Sequence, residues 1–286
     1  MSNDLCTFII SHQRPDNVKT YDAFRRAGYT GDIYIVCDDK DPTLDTYYDR
    51  FGDEVIVFSK DAVATDVDLM DLQEDQQTSL YAREKVWDLA EDLGVDYFML
   101  LDDDYDWFGW RIGPDGRYLN SPPLVENMDA VLEVFMQYMN EAPIDCLAFS
   151  QGGDWIGGRH STDAAPKMIR KIMNAYLLRP DRRFSFAGRM NEDVTTYTNL
   201  GNRGRIFFTY MPICLNQQPM QQNEGGMTDN YLEFGTYQKS FYSVMASPSC
   251  VSVSSMGEQH QRIHHRVSWQ NAVPKILSEK HRKADS

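Results

Sequence analysis

Four aspartates crowd one short stretch, YFMLLDDDYDW, at residues 97–107. Tyr97 to Leu101 form a continuous apolar run, too short for a helix and suited to a buried strand. The run ends abruptly in Asp102, Asp103 and Asp104, with Asp106 two residues on. Like charges this close at the mouth of a buried strand repel and are costly to desolvate. A divalent cation removes both problems, and hard carboxylate oxygens suit Mg²⁺ or Mn²⁺. In an extended segment side chains at i and i+2 share a face. Asp102 and Asp104 can therefore converge on one ion while Asp103 points elsewhere. A solvated acidic turn after a strand would show the same residues, so three aspartates alone do not separate the two readings. Further along, RPDRRFSFAGRMNEDV and the residues after it set one acidic pair, Glu192-Asp193, among Arg179, Arg182, Arg183, Arg189, Arg203 and Arg205.

The elements before the aspartates favour a ligand site. Cys6–Ile10 reads as a strand, and SHQRPDN follows it with Pro15 in a first-turn position. A helix should run from there to about Ala27, with Gly28 as its stop. Residues 33–37 predict a second strand ending at Asp38-Asp39, Pro42–Phe51 a second helix, and 54–58 a third strand. An acidic loop over 60–75 leads to an amphipathic helix, about Gln76–Leu93, and then to the aspartate-tipped strand. Strands alternating with helices predict an α/β fold, a mostly parallel Rossmann-like central sheet flanked by helices. In such sheets ligands sit beyond the carboxyl ends of the strands. Ser11, His12, Arg14, Asp38, Asp39 and Asp102 to Asp104 all fall there. No GxGxxG or GxxxxGK[ST] motif is present, which disfavours a dinucleotide site or a P-loop.

The second half predicts a hairpin around the PDG turn, a helix over about Leu124–Asn140 and a strand over Asp145–Ser150. The loop QGGDWIGGRH, with four glycines, reads as mobile, and Trp155 within it as a stacking platform. A polar loop over 216–230, a helix over about Asp229–Met245, a strand near Val251–Val253 and a basic tail complete the chain.

At 286 residues the chain can form one large unit. We expect a single domain over 1–286: a first half to about 106, a second half over about 107–265, and a tail over 266–286. No stretch reaches the length and apolarity of a membrane span. Five single, unclustered cysteines predict reduced thiols in a cytoplasm-like compartment. The net charge of −15 is unevenly spread. Residues 1–158 hold 33 Asp and Glu against 11 Lys and Arg, and residues 159–286 hold 10 against 17. An acidic first half and a basic second half predict two ligand surfaces, although drift of surface charge would look the same.

The ordered combination of FIISHQR on the first strand, Asp38-Asp39 after the second, DDD at 102–104 and the later NED resembles glycosyltransferases of the GT-A fold. It is most similar to the TET/JBP-associated glycosyltransferases, encoded largely by phages and predicted to modify hydroxymethylated pyrimidines in DNA. The resemblance covers about residues 5–265. It implies a GT-A-like fold whose first half binds a nucleotide-sugar donor, most simply a UDP-sugar, and whose C-terminal half binds the acceptor. Ser11, His12 and Arg14 would line the nucleotide pocket, Asp38 or Asp39 would meet the base or ribose, and Arg83, Lys85 and Asp103 would face the donor. Asp102 and Asp104 would hold Mn²⁺ or Mg²⁺, with His264 as a further ligand and His260 and His265 as rivals. Glu192 or Asp193 would act as general base on the acceptor hydroxyl. For a DNA acceptor, Trp155 or Phe184 would stack on bases, and Arg182 and Arg183 would contact phosphates. A phage-encoded enzyme of this kind would work in the host cytoplasm without a membrane partner. A protein, glycan or small-molecule acceptor, a nucleotidyltransferase activity and a non-catalytic sugar-nucleotide module remain the alternatives.

Overall fold

The computed structural model describes residues 4–72, 76–155, 158–160, 175–217, 238–256 and 262–272. An eight-stranded sheet dominates it, in the order β3-β2-β1-β4-β7-β6-β8-β5. The strands are β1 Leu5–Ile10, β2 Asp32–Asp38, β3 Val55–Phe58, β4 Tyr97–Asp102, β5 Tyr105–Trp110, β6 Cys146–Gln151, β7 Ala175–Leu178 and β8 Phe207–Gln217. The ladder is parallel through β3, β2, β1 and β4. It turns antiparallel at β7, and β6 and β8 form a second parallel pair. The expected α/β architecture is therefore present, with antiparallel strands on one flank.

Every residue of β1 is buried, as are Tyr97 to Leu101 of β4. Strands covered on both faces need such unbroken apolar runs. One face packs against α1 (Lys19–Arg26) and α5 (Met128–Glu141) around Ile9, Phe24, Met99, Leu101 and Phe149. The other packs against α4 (Leu80–Leu93) around Phe8, Trp87, Phe98, Leu100 and Tyr176. Helix α2 spans Leu44–Phe51 and the short α3 Lys60–Ala64. The first helix starts later than the sequence predicts. A 3-10 turn covers Pro15–Asn17, and α1 begins only at Lys19.

Only two residues separate β4 from β5, yet β5 pairs with β8 at the far edge of the sheet. The sheet must curl for this to close. Phe108 of β5 thereby meets Phe24 of α1 at 5.3 Å between ring centroids, and Tyr105 N donates to Thr20 Oγ1 at 2.9 Å. Gly28 is needed where α1 ends. Its φ is +87°, and a Cβ there would lie 2.2 Å from the Glu126 carbonyl oxygen.

Helix α6 (Glu192–Asn202) follows β7, and a helix over 238–246, α7, packs beside it. A two-stranded antiparallel sheet of β9 (Val251–Met256) and β10 (Arg262–Val267) and the short α8 (Trp269–Ala272) complete the described chain. All five cysteines are buried and unbridged. Among the described residues no helix is long and apolar enough to cross a membrane. The expected polar loop lies outside the described residues from 218 on, as do the tail after 272 and the rival His260.

Candidate active site at the carboxyl ends of the strands

Asp102 terminates β4 and faces α4. Arg83, only 2% exposed, donates from Nη2 to Asp102 Oδ1 at 2.8 Å and from Nε to Glu192 Oε1 at 2.9 Å. Ser79 Oγ donates to the same Glu192 oxygen at 2.9 Å. One buried guanidinium thus joins the aspartate strand to the first turn of α6. Its fork geometry allows this double contact, which a lysine could not reproduce. Arg83 also lies over the Tyr176 ring at 5.4 Å.

Asp103 turns the other way, as the i, i+2 alternation requires. It accepts from Ser11 Oγ at 2.6 Å, and Arg14 Nη1 stands 3.3 Å from it. Ser11 and Arg14 are tied together further by Tyr47, whose hydroxyl lies 2.6 Å from Ser11 Oγ and accepts from Arg14 N at 3.0 Å. Asp104 Oδ2 accepts from Gln217 Nε2 at 3.2 Å, while its Oδ1 is buried and has no hydrogen-bond partner. Next to this cluster, His12 Nδ1 lies 2.8 Å from Asp38 Oδ2 and 3.5 Å from Asp41 Oδ2. Lys60 Nζ is 3.3 Å from Asp38, and Lys60 N donates to the exposed Asp39. The structure therefore gathers Ser11, His12, Arg14, Asp38, Asp39, Arg83, Asp102, Asp103, Asp104, Glu192 and Asp193 along one end of the sheet.

The electrostatics follow from this crowding. Burial pushes the Asp102 carboxyl up to about 7; Arg83 opposes the shift, and Asp104 and Glu192 add to it. Burial, then the neighbouring Asp103, pushes Asp104 up to about 6. Asp103 is raised by burial against the pull of Arg14 and Ser11. Asp193 is raised by burial and by Glu192, with Lys239 opposing. Burial also pushes Asp38 up, but His12 and Lys60 outweigh it and hold the carboxyl below its usual range.

Five expected site residues are engaged in other contacts. Lys85 lies two residues from Arg83, about 200° around the helix, and pairs with Asp88 at 3.1 Å instead of facing the donor. Arg182 and Arg183 lie at the wrong end of the sheet. Because β7 runs antiparallel to β4, Leu178 sits opposite Phe98, and the chain beyond it emerges about 13 Å or more from Asp102. There Arg182 donates to the Ala142 carbonyl at 3.1 Å and also to that of Ile144, and Arg183 to Asp88 at 2.7 Å. Trp155 is 4% exposed, in a 3-10 turn over Gly152–Trp155. Its Nε1 donates to Ser150 Oγ at 3.0 Å, and its ring packs on Tyr118 at 5.3 Å. Phe184 is likewise buried, between Trp87, Phe186 and Phe207. Neither aromatic offers a face to a base.

Among the described residues no group of three or more His, Cys, Asp or Glu side chains is arranged to hold a metal ion. His264 lies on β10, packed against His265, and it is His265 Nδ1 that meets Asn191 Nδ2 at 3.1 Å, next to Glu192. The unpartnered, buried Asp104 Oδ1 nevertheless fits a cation held by one or two carboxylates and completed by substrate phosphates, the usual manner of Mg²⁺.

Sequence reasoning missed several supporting residues. Arg189 is fully buried and bonds Asp71 twice, at 2.7 and 3.0 Å; Tyr242 of α7 donates to the same carboxylate. Thr78 Oγ1 donates to the Arg189 carbonyl at 2.9 Å. Together these strap the segment before α6 to the loop before α4. No local signal marks Asp71 as their hub. Arg83, expected to face the donor, sits in the buried stripe of Leu80, Glu84 and Trp87 and bridges Asp102 and Glu192.

An α/β sheet with buried acidic groups at the carboxyl ends of its strands has the general layout of an enzyme that binds its ligand at those ends. The chain belongs to the TET-associated glycosyltransferase family, whose model matches residues 5–226. A search of curated proteins returns no match. Among solved structures, the crystal structure of S. aureus TarS 1-349 is similar at 10% identity and a TM-score of 0.44, over 85% of this chain and 65% of that one. The chain therefore spans less than two thirds of that relative.

Proposed function

We propose that the chain transfers a sugar from a UDP-sugar to the hydroxymethyl group of a modified pyrimidine in DNA, with Mn²⁺ or Mg²⁺ bound at Asp102 and Asp104. The observation that supports the reading is the Arg83 bridge, which ties Asp102 at the end of β4 to Glu192 in the first turn of α6. Ser11, Arg14 and Tyr47 brace Asp103 and form the wall of the nucleotide pocket; His12 and Asp38 lie beside it. The metal, when bound, supplies Lewis-acid stabilisation of the leaving diphosphate. Glu192 is fixed by Ser79 and Arg83, so its role is to position. Asp193, whose carboxyl is raised by burial and by the neighbouring Glu192, is assigned as the general base on the acceptor hydroxyl. His264 is not needed in this scheme.

The hydroxymethylpyrimidine acceptor rests on the family resemblance. Arg182 and Arg183, the expected phosphate contacts, lie at the opposite end of the sheet. This favours, as a second reading, the same sugar transfer to a protein, glycan or small-molecule hydroxyl.

The test is incubation with Mn²⁺ and a panel of nucleotide sugars, with hydroxymethylated or plain DNA, followed by nucleoside mass spectrometry. A hexose adduct on hydroxymethylated DNA only is expected, and Asp104→Asn should abolish it. Full activity in EDTA would overturn the metal. No adduct under any donor would overturn the DNA acceptor and leave the second reading.

A further inference from the structure

Gln151 closes β6 and is 6% exposed, yet its Nε2 is buried without a hydrogen-bond partner. Buried amide donors left idle are rare, because the desolvation is uncompensated. The backbone around this one is held firmly. Gln151 N donates to Asp154 Oδ2 at 2.9 Å. The preceding Ser150 Oγ donates to the Met211 and Ile213 carbonyls at 3.0 and 2.8 Å, and accepts from Trp155. A rigid strand end with a braced backbone and an idle side-chain donor is how a preorganised ligand contact is built.

Register places this amide relative to the aspartates. Leu100 of β4 and Ala148 of β6 both pair with Tyr176 of β7. Since β4 and β6 run the same way, three residues further on brings Asp103 and Gln151 to one level. Two strand spacings, about 10 Å, separate them. Alternation puts Gln151 on the face of Leu147 and Phe149, the same inner face as Met99, Leu101 and Asp103. Gln151 also pairs with Leu215, two residues before the Gln217 that holds Asp104.

We propose that Gln151 is a substrate-binding residue whose Nε2 donates to a hydroxyl or acyl oxygen of the sugar carried by the donor. The inference rests on the glycosyl-transfer reading above. A donor held against Ser11, Arg14 and Asp103, on the face that Gln151 shares, carries its sugar across the mouth towards β6, about two strand spacings away. The group waiting there is a neutral amide. Sugars are read by neutral donors and acceptors, whereas a phosphate would call for cations.

Isothermal titration in Mn²⁺ of the full chain and of Gln151→Met, with UDP, UDP-glucose and UDP-N-acetylglucosamine, tests it. The methionine keeps the volume and removes the donor. The UDP affinity should be unchanged, while the Kd of the sugar nucleotide that the wild type binds should rise about two- to tenfold. Gln151→Asn, which retracts the amide by one methylene, should show the same split and covers the case of a variant that fails to fold. Equal affinities of wild type and variants for every ligand overturn the proposal, as does an equal loss for UDP and sugar nucleotide. Wild type that binds UDP and neither sugar nucleotide also overturns it. If the wild type binds none of the three, the donor reading falls and this inference with it; unchanged variants of a wild type that binds remove only Gln151.

Discussion

Glu84 gives a test of the packing that positions the site. It lies on α4, 8% exposed, and accepts a hydrogen bond from Phe186 N, at the start of the segment leading to Glu192. Burial, opposed by that hydrogen bond and by Arg183, pushes its carboxyl from 4.5 up to about 7. A raised acid pKa means that the folded chain binds the proton more tightly than the unfolded one. The contribution of Glu84 to stability is therefore greatest below pH 4.5, falls as pH rises from there to about 7, and is flat above. Across the full shift of about 2.5 units this amounts to about 3.4 kcal/mol at 1.36 kcal/mol per unit. Between pH 5 and pH 8, where part of the shift has already been passed, about 2.5 kcal/mol remains. Glu84→Gln keeps an acceptor for Phe186 N and removes the titration. Urea unfolding in EDTA should show the variant near wild type at pH 5 and about 2.5 kcal/mol more stable at pH 8. The other raised carboxylates titrate in both proteins, so the difference isolates Glu84. Parallel stability profiles for the two proteins from pH 5 to pH 8 would refute the argument.

Arg83→Met should destabilise by roughly 3–5 kcal/mol, because it strands Asp102 and Glu192 without their shared cation; urea unfolding measures it, and Arg83→Lys should restore little, since one ammonium cannot span both carboxylates. Trp155→Ala should cost roughly 3–5 kcal/mol of stability as a core deletion, read as a lower Tm, with acceptor KM unchanged for the protein that remains folded. Gly28→Ala should lose at least roughly 1–3 kcal/mol from its left-handed backbone alone, with the clash against the Glu126 carbonyl adding to it; wild-type stability of that variant would mean that α1 and the chain before α5 do not meet this closely.

The first half of the fold was legible because its signals are local. Unbroken apolar runs mark β1 and β4, and Gly28, Gly52 and Gly94 stop helices with positive φ. The i, i+2 rule separated Asp103 from its neighbours, and the structure sends it to Ser11 and Arg14. What failed to show depends on topology. The four-residue β7 carries little signal of its own. Without it nothing reveals that the chain reverses, and a cluster of arginines looks as if it belongs beside the aspartates. Trp155 misled for a related reason. A tryptophan among glycines reads as exposed, but the cavity between Tyr118, Met211 and Cys214 is assembled from residues on either side of it in sequence.

The reversal at β7 also divides the arginines by function. Those at the far end, Arg179, Arg182, Arg183 and Arg205, are consumed by Asp181, Asp145, Asp88 and by backbone carbonyls. Their charge is thus engaged by the turn after β7, by α4 and by the segment just before β6. Arg83 and Arg189, both buried at the other end, do the opposite work: each joins the segment around Glu192 to the loop and helix that precede the aspartate strand. Two buried guanidinium groups, each bonded to a carboxylate more than a hundred residues away in sequence, thus hold the segment around Glu192 against the elements that precede the aspartate strand.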